Sequence, residues 1–133
     1  MITVGENGWA FGGADQDTIK GGAGSWLNGD DGDDIIIGGA GFPQIVGGAG
    51  NDTLTGGADA DRFDFGDNWG HDRITDFQVG VDHINMAGVT GLDRFDQLTI
   101  TATAEGTEVS FGDNSIILSG VAIDTVTTEL FQL

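Results

Sequence analysis

The chain has 133 residues, 25 of them glycine and 1 proline, with 22 Asp and Glu against 4 Lys and Arg for a net charge of -18. That glycine content excludes conventional helices, since each interior Gly costs roughly 1 kcal/mol relative to Ala, and the acidity excludes nucleic acid and anionic membranes as partners. Charge of one sign repels itself in a compact state, so a cation is expected to be part of the fold; without one, so acidic and glycine-rich a chain tends toward disorder.

Cysteine is absent, which removes disulfides, thiolate catalysis and Cys-ligated zinc. No signal peptide is visible, because Met1-Ile2-Thr3 runs straight into glycine and Glu6, and no apolar run approaches the roughly 20 residues of a membrane span.

In chain order, residues 1–64 divide into repeats. The units are VGENGWAF (4–11), GGADQDTIK (12–20), GGAGSWLN (21–28), GDDGDDIII (29–37), GGAGFPQIV (38–46), GGAGNDTLT (47–55) and GGADADRFD (56–64). The unit at Gly47 is complete as G-G-x-G-x-D-x-U-x, where U is a large apolar residue. Two units are one residue short, and both carry Trp where Asp is due. Each unit reads as a glycine-rich turn followed by a strand of about three residues. The U residues Ile19, Leu27, Ile36, Ile45, Leu54 and Phe63 point inward, and their neighbours point out. Two units make one coil, and stacked coils form two parallel sheets with the U residues between them, because no unit can bury its apolar residue alone.

After residue 64 the phrase survives as G-x-D-x-U at Gly70–Ile74 and Gly80–Ile84, with Ile74–Phe77 expected as a strand between them. Longer strands are expected over Leu98–Thr103, Glu108–Phe111 and Ser115–Leu118, separated by turn signals at 104–107 and 112–114. A short helix is expected over 123–130, with Asp124 or Thr125 as its N-cap. The expected fold is all-β: a parallel β-roll over 1–86, a right-handed solenoid of two sheets, closed by an antiparallel β cap over 87–133 that covers the last sheet edge.

The phrase carries its own chemistry. Calcium takes six to eight oxygens from carboxylates and backbone carbonyls. The glycines let a turn aim carbonyls at one point, here near Gly13, Gly32, Gly48, Gly50 and Gly57, and the Asp adds a carboxylate. Alternate units stack on the same edge of the roll. One edge carries Asp17, Asp34, Asp52 and then Asp72, an unbroken column with calcium expected between successive members. The other edge reads Trp9, Trp26, Pro43 and Asp61, so calcium is expected there only near Asp61 and Asp82. Several ions are thus expected, mostly on one edge.

The repeats resemble the calcium-binding nonapeptides of RTX (hemolysin-type) proteins, for which this phrase is a known signature. The segment DRITDFQVGVDHINM (72–86), and VSFGDNSIILSGV (109–121) after it, is similar to the C-terminal ends of that family, serralysin-type proteases among them. The resemblance implies a module of a type I-secreted bacterial protein. It would interact with the secretion machinery, carry an uncleaved secretion signal ending in ELFQL, and fold on calcium in the extracellular medium.

Trp9, Trp26 and Phe42, the last beside Pro43, are expected to line up on the calcium-poor edge. Two readings stand: the aromatics replace missing ions as the adhesive between coils, or they bind a protein partner, a second copy of the chain or a glycan. Asp30, Asp31 and Asp33 read as outer calcium ligands or as a solvated acidic turn. His71 and His83 occupy outward positions, too far apart in sequence to favour a zinc site. No Ser-His-Asp, HExxH or phosphate-cradling pattern occurs, and calcium explains the paired carboxylates better than glycosidase chemistry does, so no enzymatic activity is expected.

Overall fold

The computed structural model describes all residues, Met1–Leu133, and contains no α-helix. In chain order the strands are β1 (Ile2–Thr3), β2 (Trp9–Gly13), β3 (Thr18–Lys20), β4 (Trp26–Asp30), β5 (Ile35–Ile37), β6 (Gln44–Val46), β7 (Thr53–Thr55), β8 (Arg62–Gly66), β9 (His71–Ile74), β10 (His83–Gly88), β11 (Thr99–Thr103), β12 (Gly106–Phe111), β13 (Asn114–Ser119) and β14 (Phe131–Gln132). Odd strands β1-β3-β5-β7-β9 form one parallel sheet and even strands β2-β4-β6-β8-β10 the other. The chain passes from sheet to sheet at every glycine turn, as the repeat demands.

The inward residues stack in register. Ile19, Ile36, Leu54 and Ile74 run through the odd sheet, and Ala10, Leu27, Ile45, Phe63 and Ile84 through the even one. All except Ala10 are fully buried. Strands β3 to β7 each bury one large residue, which makes a thin core there, so each truncation is felt by both neighbours in its column. Replacing Ile36 by Ala should cost about 2–5 kcal/mol, measured as a lowered urea midpoint of the calcium-loaded chain.

The C-terminal strands close the roll by extending both sheets. Strand β13 adds parallel to β9, then β12 and β11 follow antiparallel, while β14 adds parallel to β10. The hydrophobic core runs without a break from Ala10 to Leu130. Trp69 fixes the junction: it is buried, packs edge-on against Phe65 at 5.8 Å, and donates its indole N–H to the Ser115 carbonyl at 3.1 Å.

Two local expectations are corrected. The helix expected over 123–130 is instead two single 3₁₀ turns, Ile123–Thr125 and Thr128–Leu130, preceded by Ala122 and Thr127 rather than capped by Asp124 or Thr125. The β-branched residues Thr125, Val126, Thr127 and Thr128 disfavour α-helix, and Val126 and Leu130 are each drawn into the core. The strand expected over Ile74–Phe77 ends at Ile74, because Asp76 turns to cap the amides of Gly56 and Gly57 at 2.8 and 2.9 Å.

Candidate calcium-binding edges

On the turn edge leading into the odd sheet, four aspartates form a ladder. The backbone N–H of Asp17 donates to Oδ1 of Asp34 (2.7 Å), that of Asp34 to Asp52 (2.8 Å), and that of Asp52 to Asp72 (2.9 Å). Each carboxylate thus uses one oxygen to tie its coil to the coil before. The other oxygen, Oδ2 of Asp34, Asp52 and Asp72, is buried without a hydrogen-bond partner. Unpaired buried carboxylate oxygens are costly, and a column of them is a strong demand for a cation.

The first glycine of each repeat explains where that cation fits. A β-carbon on Gly29 would collide with Asp34 Oδ2 and with the Gly47 carbonyl of the next coil, and one on Gly12 with Asp17 and the Gly29 carbonyl. Carboxylate and carbonyl oxygens therefore crowd one small space that only glycine leaves open. Of the glycines expected to supply carbonyls, Gly32 sets its own against Gly50 of the following coil, Gly48 and Gly57 are approached by the carbonyls of Asp30 and Gly39, and that of Gly13 accepts the Asp31 amide at 2.9 Å. The donors are all oxygens, and no group of three His, Asp or Glu side chains converges, so backbone carbonyls must complete any shell. This donor chemistry fits a hard cation such as calcium.

Burial raises the carboxyl pKa values of this ladder. Asp52 is pushed up to about 6 and Asp72 to about 8, and Asp34 is raised as well, with desolvation the main cause despite the opposing amide bonds. Asp17, half-buried, begins the ladder.

The opposite edge differs from the sequence expectation. Trp9 and Trp26 do not occupy the aspartate position. They pair with Gln44, Arg62 and His83 as the outward residue next to the buried one. The aspartate position is filled by Gly8, Ser25, Pro43, Asp61 and Asp82, two residues before each inward side chain. Counting from the first residue of each unit misplaces the short ones. The inward residue fixes strand register, so the missing residue is lost from the turn. Ser25 is buried and bonds back to the Gly22 carbonyl at 2.7 Å. The conclusion that this stretch lacks carboxylates is unchanged.

Asp61 is the exception on this edge. It is buried, and neither of its oxygens has a partner. In the ladder pattern its Oδ1 would accept the amide of residue 43, but that residue is proline and has no N–H. Desolvation, then the nearby charge of Asp82, pushes its pKa up to about 7. Asp82 itself accepts the amides of Asp61 (2.9 Å) and Gln78 (2.8 Å). Asp76, which the sequence pattern did not single out, adds charge to the same neighbourhood.

The remaining candidates separate. Asp33 caps the Asn51 amide at 2.8 Å, and Asp30 pairs with the Asn28 side chain at 2.6 Å. Asp31 is exposed in the turn. His71 contacts Ser115 at 2.8 Å from the odd sheet, whereas His83 lies on the even one. Phe42 is exposed in a turn beside Pro43, apart from a compact aromatic group on the outer sheet face. There Trp26 lies 5.2 Å from Trp9 and 5.1 Å from Phe11, ring centre to ring centre. Phe11 was missed because it lies in the strand, outside the turn pattern.

Comparison with known proteins agrees with this geometry. The family model for the RTX calcium-binding nonapeptide repeat, which holds four copies, matches residues 4–25, 11–42 and 44–74, more than half of the chain. No curated protein sequence matches. Among solved structures, the extracellular lipase LipA of Serratia marcescens is similar over 94% of this chain and 20% of its own, with a TM-score of 0.79 and 26% identity. The chain thus spans about a fifth of that lipase. The AlgE6R3 subunit of the Azotobacter vinelandii mannuronan C5-epimerase aligns with 98% of this chain and 78% of its own, at a TM-score of 0.48 and 23% identity.

Proposed function

The chain belongs to the RTX family of calcium-binding nonapeptide-repeat proteins, and from that premise we propose that it is a calcium-driven folding module of a type I-secreted bacterial protein. The family's repeat roll is a calcium-binding structural module, and RTX repeats typify secreted bacterial proteins. In calcium-poor cytosol the chain is unfolded and passes an exporter; in the extracellular medium calcium folds it. Residues 1–86 are the calcium-responsive part, and 87–133 cap it and carry the secretion signal.

The observation that carries this reading is the column of unpartnered buried oxygens on Asp34, Asp52 and Asp72. In the proposal, ions sit between Asp17 and Asp34, between Asp34 and Asp52, and between Asp52 and Asp72, joined by carbonyls of the glycine turns. A further ion sits at Asp61, with Asp82 supporting it through the Asp61 amide. The stretch from Gly8 to Pro43 holds none.

Calorimetric titration of calcium into the chelator-stripped chain tests the assignment. Asp34→Asn touches two of the ladder sites and should lower the stoichiometry. Ser25→Ala, on the carboxylate-free edge, should leave it unchanged. Equal calcium uptake by wild type and Asp34→Asn would refute the ladder.

A further inference from the structure

The two outer sheet faces differ in chemistry, and calcium binding does not account for the difference. On the odd sheet the outward row Thr18, Ile35, Thr53, Arg73 and Ile117 is mostly β-branched and aliphatic. On the even sheet one outward row reads Trp9, Trp26, Gln44, Arg62 and His83. Every side chain in it ends in a flat π-system. The parallel row beside it runs Phe11, Asn28, Val46, Asp64 and Asn85, and Gln132 of β14 extends it. All but Val46 are again planar.

Several of these groups are already held in place. Asp64 accepts from Arg62 at 2.7 Å and from the Gln44 amide, and Asn28 is tied to Asp30. Trp26 is wedged between Trp9 and Phe11, while Trp9 is 71% and Phe11 51% exposed. At the other end of the rows a cavity of about 460 Å3 opens among Phe42, Gln44, Arg62, His83, Asn85 and Gln132, with Asp61 also in its lining. Six strands about 4.8 Å apart give the rows a length of roughly 24 Å.

Charge narrows the occupant. The chain carries -18, yet on this face Arg62 and Asp64 neutralise each other. Nucleic acid and acidic polymers meet repulsion from the rest of the molecule, and so does a second copy of the chain. An uncharged partner meets none. Aromatic faces receive the C–H faces of sugar rings, and fixed amide and guanidinium groups pair with hydroxyls at little ordering cost.

We propose that the outer face of the even sheet is a binding face for an uncharged polysaccharide, lying across the strands along the two rows from Trp9 to Gln132. The aromatic end stacks on pyranose rings, and Gln44, Arg62 and Asn85 hydrogen-bond their hydroxyls. The face is separate from the Asp17–Asp72 ladder, which lies on the turn edge of the odd sheet, and meets the proposed calcium sites only at Asp61, beside its far end.

The test uses the full chain in saturating calcium with cellohexaose, mannohexaose, xylohexaose and maltohexaose as probes. Binding is read by tryptophan fluorescence and calorimetry. At least one neutral hexasaccharide should bind, and Trp9→Ala should weaken it by about tenfold or more. Gln44→Ala should also weaken it, Ile35→Thr on the opposite sheet should not, and all three variants should keep the calcium-induced circular dichroism spectrum. The proposal is overturned if none of the four probes binds at millimolar concentration, or if Trp9→Ala binds as tightly as wild type. It is equally overturned if polygalacturonate or a basic peptide binds this face in preference to the neutral sugars, or if Trp9→Ala dissociates a dimer seen by sedimentation. Loss of calcium-induced folding in wild type would count against the calcium module, not against this face.

Discussion

In excess chelator the chain should lose most of its β-sheet circular dichroism, and added calcium should restore it in one cooperative step. The expectation follows from an imbalance within the fold. Five aspartates are buried, Asp34, Asp52, Asp61, Asp72 and Asp82, and four of them hold carboxylate oxygens with no partner. Against this the stretch from β3 to β7 sets one large inward residue per strand. Each unpaired buried charge costs several kcal/mol, which is comparable with the whole stability of an ordinary domain, about 5–15 kcal/mol. A site that binds only the folded chain returns about 2.7 kcal/mol at a hundredfold excess of metal over its dissociation constant. Two or three such sites in one column therefore decide between folded and unfolded. Because each carboxylate also bonds the amide of the previous coil, the sites cannot fill independently, and the transition should be steep. A chain that keeps its full β signal in chelator would show that the hydrophobic column and the cap suffice without metal.

Much of this was legible in the sequence, for a physical reason. A nonapeptide repeat ties inward residue, turn glycine and carboxylate to fixed offsets, so Ile19, Ile36 and Leu54 announce the core while Asp17, Asp34 and Asp52 announce one ladder. The errors arose where an offset is not fixed. A turn can lose a residue and a strand register cannot, so the turn count puts Trp9 and Trp26 at the aspartate position when Gly8 and Ser25 fill it. The effect of Pro43 on Asp61 depends on a hydrogen bond between coils, from an amide that proline lacks, and apolar spacing gives no signal of it. Asp76 lies outside the repeat phrase and reaches Gly56 and Gly57 only through the longer turn before β10. Beyond residue 98 the pattern is that of ordinary antiparallel strands. It marked three of them, but β12 begins at Gly106 and β13 at Asn114, inside the expected turns, β14 carried no signal, and the parallel join of β13 to β9 rests on long-range packing around Trp69. The planar rows became visible only when register aligned residues about 18 positions apart.

Acidification should stabilise the metal-free chain and weaken its grip on calcium. Most paired carboxylates behave in the opposite way. Here burial raises the folded pKa values, to about 6 for Asp52, about 7 for Asp61 and about 8 for Asp72, against about 3.9 for Asp in an unfolded chain. Between about pH 4 and pH 8 the folded chain therefore holds more protons than the unfolded one. Stability then falls as pH rises through that window, and the contribution is fully present only near its acid end. In chelator, lowering the pH from 8 to 5 should recover β signal, as protons neutralise the oxygens that calcium would otherwise satisfy. With calcium present the same protons compete for the same oxygens. The calcium concentration at half-folding should rise by about tenfold or more across that range, since several carboxylates must each shed a proton to bind. Asp61→Asn and Asp72→Asn separate the contributions: each should strengthen the metal-free fold at pH 8, weaken the calcium response, and flatten the pH dependence of both. A calcium midpoint independent of pH, or a metal-free chain that loses structure on acidification, would mean that these carboxylates are already satisfied in the folded state.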